Sequence, residues 1–150
     1  MYTTRTPLRA ENNGSTDLKN QNLQMIFLSH PYNHEETPVV NDRIRLARHM
    51  MCHFLNRGVW AESWIVSTHQ SIKEGMLKED AYCHWSDMLE KRIKNSSKLV
   101  VLCMPGWLES VDVNGEIEMA RKHDVFVKYY TMTMMKNAIG YSQFENLQLS

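Results

Sequence analysis

The segment 98–104, KLVVLCM, is a short apolar run that goes directly into Pro-Gly-Trp and then into a polar, helix-forming stretch carrying Glu116 near its start. A run so short and so apolar reads as a strand buried on both faces. Helices must then cover both faces, which commits the chain to a parallel sheet. Other runs repeat the pattern. LQMIFLS (23–29) and DVFVKYY (124–130) are strand candidates, and so is VWAESWIV (59–66), though Glu62 interrupts it. Between them, Val40, Ile44, Ala47, Met51 and Leu55 recur at spacings of three and four over 39–56, with Asn56 and Gly58 closing that helix. A second helix is expected over 81–95, with Trp85, Met88, Leu89 and Ile93 on one side, and a third over 113–122. The expectation is an α/β, flavodoxin-like (Rossmann-like) three-layer domain whose parallel sheet has four to five strands, with strand 24–29 between 59–65 and 98–104.

The rest of the chain is organised around that unit. Residues 1–22 are polar, without apolar period, and read as a flexible N-terminal tail; the α/β domain spans 23–131. A C-terminal tail covers 132–150, with a short helix expected around 131–139, and residues 67–80 read as a loop. In a parallel α/β sheet, loops leaving the C-terminal ends of the strands collect on one edge and form the ligand crevice. Here these loops are 29–38, 64–80 and 104–113.

Composition narrows the function classes. The 150 residues hold 17 basic and 17 acidic side chains, so no basic field argues for nucleic acid. No run reaches membrane-spanning length, and the N-terminus lacks an apolar signal core. Cys52, Cys83 and Cys103 show no C-x-x-C spacing and read as reduced thiols of a cytoplasmic protein. His49 and His53, at i and i+4 with Cys52 beside them, have a spacing that can bind a metal. No third ligand is evident, so a solvated helix face is the reading and no metal site is expected.

Glu116 is the leading candidate for chemistry, against the plainer reading of a first-turn acid favoured by the helix dipole. His30 directly follows the first strand, where a polar contact to ligand is expected. Arg43 sits near enough to the first helix start to reach the crevice, while Arg45 and Arg48 read as a solvated face. Ser110 can cap the third helix or offer its hydroxyl to a ligand. Asn114 lies in the same segment as a candidate substrate contact. Trp107 either packs under its loop or stacks on a base, and Trp85 either fills core or touches ligand.

Taken in order, I-F-L-S-H-P-Y (26–32), Arg43, S-W-I-V-S-T-H (63–69), Trp85, L-V-V-L-C-M-P-G-W (99–107) and E-S-V-D-V-N-G-E-I-E-M-A (109–120) resemble the nucleoside 2-deoxyribosyltransferase superfamily. The likeness covers about residues 24–130 and extends to deoxynucleoside 5′-monophosphate N-glycosidases. It implies that Glu116 is a nucleophile attacking the anomeric carbon and expelling the base, as in a retaining glycosidase. It implies that Tyr32 helps to hold substrate or nucleophile, that His69 belongs to the loop after the second strand, and that Ser110, six residues before Glu116, meets a phosphate. It further implies a small-molecule nucleoside or nucleotide as partner, no cofactor, and a homo-oligomer of two or more copies. Two positions depart from the family pattern. Asp112 stands where a glycine is usual. Leu89 stands where the second helix usually carries the Asp that manages the proton of the leaving base, with Asp87 and Glu90 nearby as substitutes. The expected activity is cleavage or transfer at the N-glycosidic bond through a glycosyl-glutamate. The alternative is a catalytically silent protein that binds a nucleotide or signalling molecule.

Overall fold

The computed structural model describes residues 24–78 and 82–150. Strand β1 (Met25–Ser29) leads to helix α1 (Thr37–Leu55), β2 (Trp60–Glu62), α2 (Trp64–Lys73), α3 (Tyr82–Lys94), β3 (Lys98–Leu102), α4 (Val111–Lys122), β4 (Phe126–Tyr130) and α5 (Met132–Ile139), followed by a 3-10 turn at Tyr141–Gln143. The four strands form one sheet in the order β2-β1-β3-β4, every pairing parallel. The fold is the expected flavodoxin-like α/β arrangement, with β1 between β2 and β3. The expected tail at 1–22 and the first residue of the helix expected at 81 lie outside the described residues.

Strand parity divides the core. Ile26 and Leu28 of β1, with Val100 and Leu102 of β3, face Leu46, Ala47, Met50 and Phe54 of α1 and Met135 of α5. Phe27, Leu99 and Val101 face the other layer, formed by Leu89 and Ile93 of α3 and Val113, Ile117 and Ala120 of α4. Ser29 has the parity of Phe27, so the last residue of β1 points into the α3–α4 layer, where Glu116 sits. The central strands β1 and β3 are buried almost throughout, as their unbroken apolar runs require; β4, at an edge, keeps Phe126 and Tyr129 exposed.

One expectation fails at 59–80. The strand stops at Glu62, and 64–73 is helix where a loop was expected from 67 onward. Ser63 is the reason. Its Oγ accepts the Val66 backbone N–H at 3.1 Å and caps α2, turning the apolar W-I-V from strand residues into the first helical turn. At the C-terminus, Gln148 N donates to Asp42 Oδ2 (2.8 Å) and Leu149 is buried in the α1–α5 core, so this segment docks on α1. Among the described residues no helix is long and apolar enough to cross a membrane.

Candidate functional site

The chain leaves β1 for β2 on one side and later crosses to β3 on the other, so the switch point of this sheet lies between β1 and β3. Ligands of open α/β sheets bind outside the strand ends at such a point. Two adjoining cavities open there. The inner one, about 220 Å³, is lined mainly by Trp64, Ile65, Ile72, Trp85 and Leu89, with Glu116 and Asp112 on α4. The outer one, about 410 Å³, runs past Arg43, Gly106, Glu109 and Ser110. Tyr32, Asn33 and Asp112 line both.

Glu116 is 7 % exposed. Burial pushes its carboxyl from the ordinary 4.5 up to about 8, and the nearby Asp112 charge pushes the same way. The nearby Ser29 hydroxyl works against this shift but stops short of hydrogen-bond geometry. Ser29 Oγ and Glu116 Oε2 are both buried without a hydrogen-bond partner among the described residues, and so is Trp64 Nε1. Buried polar atoms are nearly always paired, so these three are exceptions; Glu116 and Trp64 line the inner cavity. Asp112 is half-buried one helical turn before Glu116, and burial raises its carboxyl too.

The Tyr32 hydroxyl and His69 Nδ1 share a hydrogen bond of 2.8 Å, the rings meeting edge to face. Burial, followed by the Lys73 and Arg48 charges, lowers the His69 pKa, keeping an unprotonated nitrogen available as acceptor. His69 is absent from both cavity walls and acts by holding Tyr32, which is in both. Trp64 and Trp85 meet edge to face, with ring centroids 5.7 Å apart and planes inclined by 61°, and form an aromatic corner of the inner cavity.

Several candidates turn out to be scaffold. His30 is buried, and both ring nitrogens are used within the fold. Ser63 Oγ already accepts from Val66 N, so its hydroxyl hydrogen goes to His30 Nε2 (2.8 Å), and His30 Nδ1–H donates to the Pro31 carbonyl (3.1 Å). Burial holds this imidazole neutral, its pKa down at about 4. His30 thus joins the end of β1 to the cap of α2 instead of facing the crevice. Arg43 is equally committed. Its Nη1 donates to the Asn33 (2.7 Å) and Tyr32 (3.4 Å) carbonyls, Nη2 to that of Pro105 (3.0 Å), and Nε to that of Leu149 (3.3 Å). It ties the β1 and β3 loops to the C-terminal segment. Gly106 lets it in: a Cβ there would lie 3.0 Å from Nη2, and φ is +91°.

Ser110 caps α4, accepting from Val113 N at 3.3 Å. Asn114 Nδ2 donates to the Leu108 and Ser110 carbonyls, both at 2.9 Å, and clamps the loop rather than a ligand. Trp107 packs on Tyr129 with ring centroids 5.5 Å apart, away from both cavities. The two α3 acids lie outside both cavity walls. Glu90 accepts from Lys122 Nζ and His123 Nε2, both at 2.8 Å, at the far end of α4, and these bonds hold its pKa low. Asp87 is exposed and outside the cavity walls. The α3 face toward Glu116 carries Trp85 and Leu89, because a helix presents residues four apart to one side.

The inner-cavity residues missed by the sequence reading are Asn33 of the β1 loop and Trp64, Ile65, Thr68 and Ile72 of α2. The signal for the α2 residues was the Ser63 cap followed by apolar residues at helical spacing. Residues 24–132 match the family described as a domain of unknown function, DUF1937, and the chain belongs to that family. No curated protein matches the chain.

Proposed function

We propose that this member of the DUF1937 family cleaves or transfers at the N-glycosidic bond of a nucleoside, with Glu116 as the nucleophile that takes the sugar. The observation that carries the reading is the Glu116 carboxyl: buried, with an unpartnered oxygen, at the wall of an aromatic cavity on the ligand-binding edge of the sheet. The corner made by Trp64 and Trp85 offers one indole face and one indole edge to a flat base. The sugar then lies between Tyr32 and Glu116, with its anomeric carbon toward the carboxylate. Glu116 must ionise to attack, which the low-polarity pocket resists in the empty state. The oxocarbenium-like charge that develops on the sugar favours the carboxylate in the transition state.

The outer cavity favours a nucleoside over its monophosphate. Arg43 has its donors on four backbone carbonyls, the Ser110 hydroxyl serves α4, and Asp112 and Glu109 bring negative charge. A neutral 5′-hydroxyl suits such walls and a phosphate does not. A homo-oligomer is part of the reading, since exposed Leu108 and Val111 lie beside the outer cavity where a second copy would cover them.

A silent binder of the same ligand is the second reading, favoured by Leu89 standing where an acid would help the leaving base. The experiment is to incubate the protein with the common 2′-deoxynucleosides and their 5′-monophosphates and follow free base by chromatography. Base release, faster from nucleosides than from monophosphates, supports the proposal. Saturable binding without release supports the silent binder.

A further inference from the structure

We infer that Asp112 is the proton carrier of this site: it takes the proton from Glu116 and delivers it to the departing base. The inference rests on the glycosyl-transfer reading above. Three observations support it. Asp112 and Glu116 are four apart on α4, so their side chains share one face with Cβ atoms about 5–6 Å apart. Both residues line the inner cavity, and Asp112 alone of the two also lines the outer one, so it stands at the junction of the two cavities, within reach of entering water. No other carboxylate among the described residues lines the inner cavity, since Glu90 is held by Lys122 and His123 and Asp87 faces solvent.

The proton distribution agrees. In the empty site the more deeply buried Glu116 holds the pair's proton near neutral pH, while Asp112 is raised less and can act as base. With nucleoside bound, the Glu116 proton passes to Asp112. The freed carboxylate forms a bond to the anomeric carbon, the carbon–nitrogen bond breaks, and its electron pair stays on the base nitrogen. Asp112 gives its proton to the base, which leaves neutral. Water then attacks the anomeric carbon of the ester while Asp112 accepts a water proton, the carbon–oxygen bond to Glu116 breaks, and the proton returns to Glu116. One nucleoside and one water yield one base and one free sugar. Asp112 thereby stands in for the missing α3 acid from the nucleophile's own helix.

The test compares Asp112→Asn with wild type on 2′-deoxyguanosine and on 7-methyl-2′-deoxyguanosine, whose cationic base leaves neutral without receiving a proton, with spontaneous loss subtracted. Asp112→Asn is expected to slow both substrates, since both need Glu116 ionised, and to slow 2′-deoxyguanosine by a further ~10²–10⁴-fold, the usual worth of an acid positioned on the base. Glu116→Gln is expected to lose both. Equal losses on both substrates in Asp112→Asn, or no loss on either, overturn the role of Asp112 while the glycosyl-transfer reading stands. A wild type that releases neither base overturns both.

Discussion

Asp112 and Glu116 face one cavity from successive turns of α4, and the charge of the first raises the pKa of the second. Stability should carry the mark of this arrangement. Glu116 ionises at 4.5 when exposed and at about 8 when folded. Below 4.5 both states are protonated and the group costs nothing. Between the two values the unfolded chain is ionised while the folded one is not, so stability falls as pH rises and levels off above 8. Glu116→Gln removes the titration. Its stability relative to wild type should climb from pH 5 to pH 8, with a limiting slope of about 1.4 kcal/mol per pH unit. Urea melts of both proteins at pH 5, 7 and 9 check this, and a difference that stays flat with pH contradicts it.

His30 titrates in the opposite sense. Its folded pKa of about 4 lies below the ordinary 6.5, so its contribution to stability is present above 6.5 and lost as pH falls toward 4. The ring is expected to remain the neutral tautomer with hydrogen on Nδ1 down to about pH 5. Nitrogen-15 shifts of the imidazole measure this. Ser63→Ala should remove both the cap of α2 and the bond to Nε2, at a cost of roughly 1–2 kcal/mol.

Gly106 and Arg43 form a second linked pair. Gly106→Ala must hold φ near +91° and place a methyl 3.0 Å from Nη2. It is expected to destabilise the fold by roughly 1–3 kcal/mol. Arg43→Lys is expected to cost more, because one ammonium cannot span the carbonyls of Asn33, Pro105 and Leu149. Thermal melts of the two variants order these effects.

The fold was legible because β1 and β3 are buried on both faces, and such strands read as unbroken apolar runs. The four-stranded parallel sheet and the position of β1 followed from strand–helix alternation. The α2 helix was not legible to the same degree. Trp64, Ile65 and Val66 continue an apolar run that periodicity cannot assign to strand or helix, and only the Ser63 cap separates them. The placement of Glu116 beside the crevice at the C-terminal edge of the sheet was readable, since it follows from the order of strands and helices. The fates of His30, Arg43 and Glu90 were not, because each depends on a partner distant in the chain: Ser63, Leu149 and Lys122 respectively.

Trp85 carries a prediction of its own. If Trp64 and Trp85 hold the base, Trp85→Ala should weaken binding of 2′-deoxynucleosides by about 1–3 kcal/mol, the range for loss of one aromatic platform under a base. Calorimetry in a Glu116→Gln background reads affinity without turnover. Trp107→Ala, which removes packing on Tyr129 but touches neither cavity, should lower stability and leave that affinity unchanged.

The central claim is that the sugar passes through a covalent ester on Glu116. Wild type mixed with a cleaved 2′-deoxynucleoside, quenched in acid within a turnover, digested and read by mass spectrometry tests it most directly. The account predicts one deoxyribosyl group on the peptide that carries Glu116, and neither label nor base release from Glu116→Gln. Base release that persists in Glu116→Gln, or a label on another residue, would contradict it.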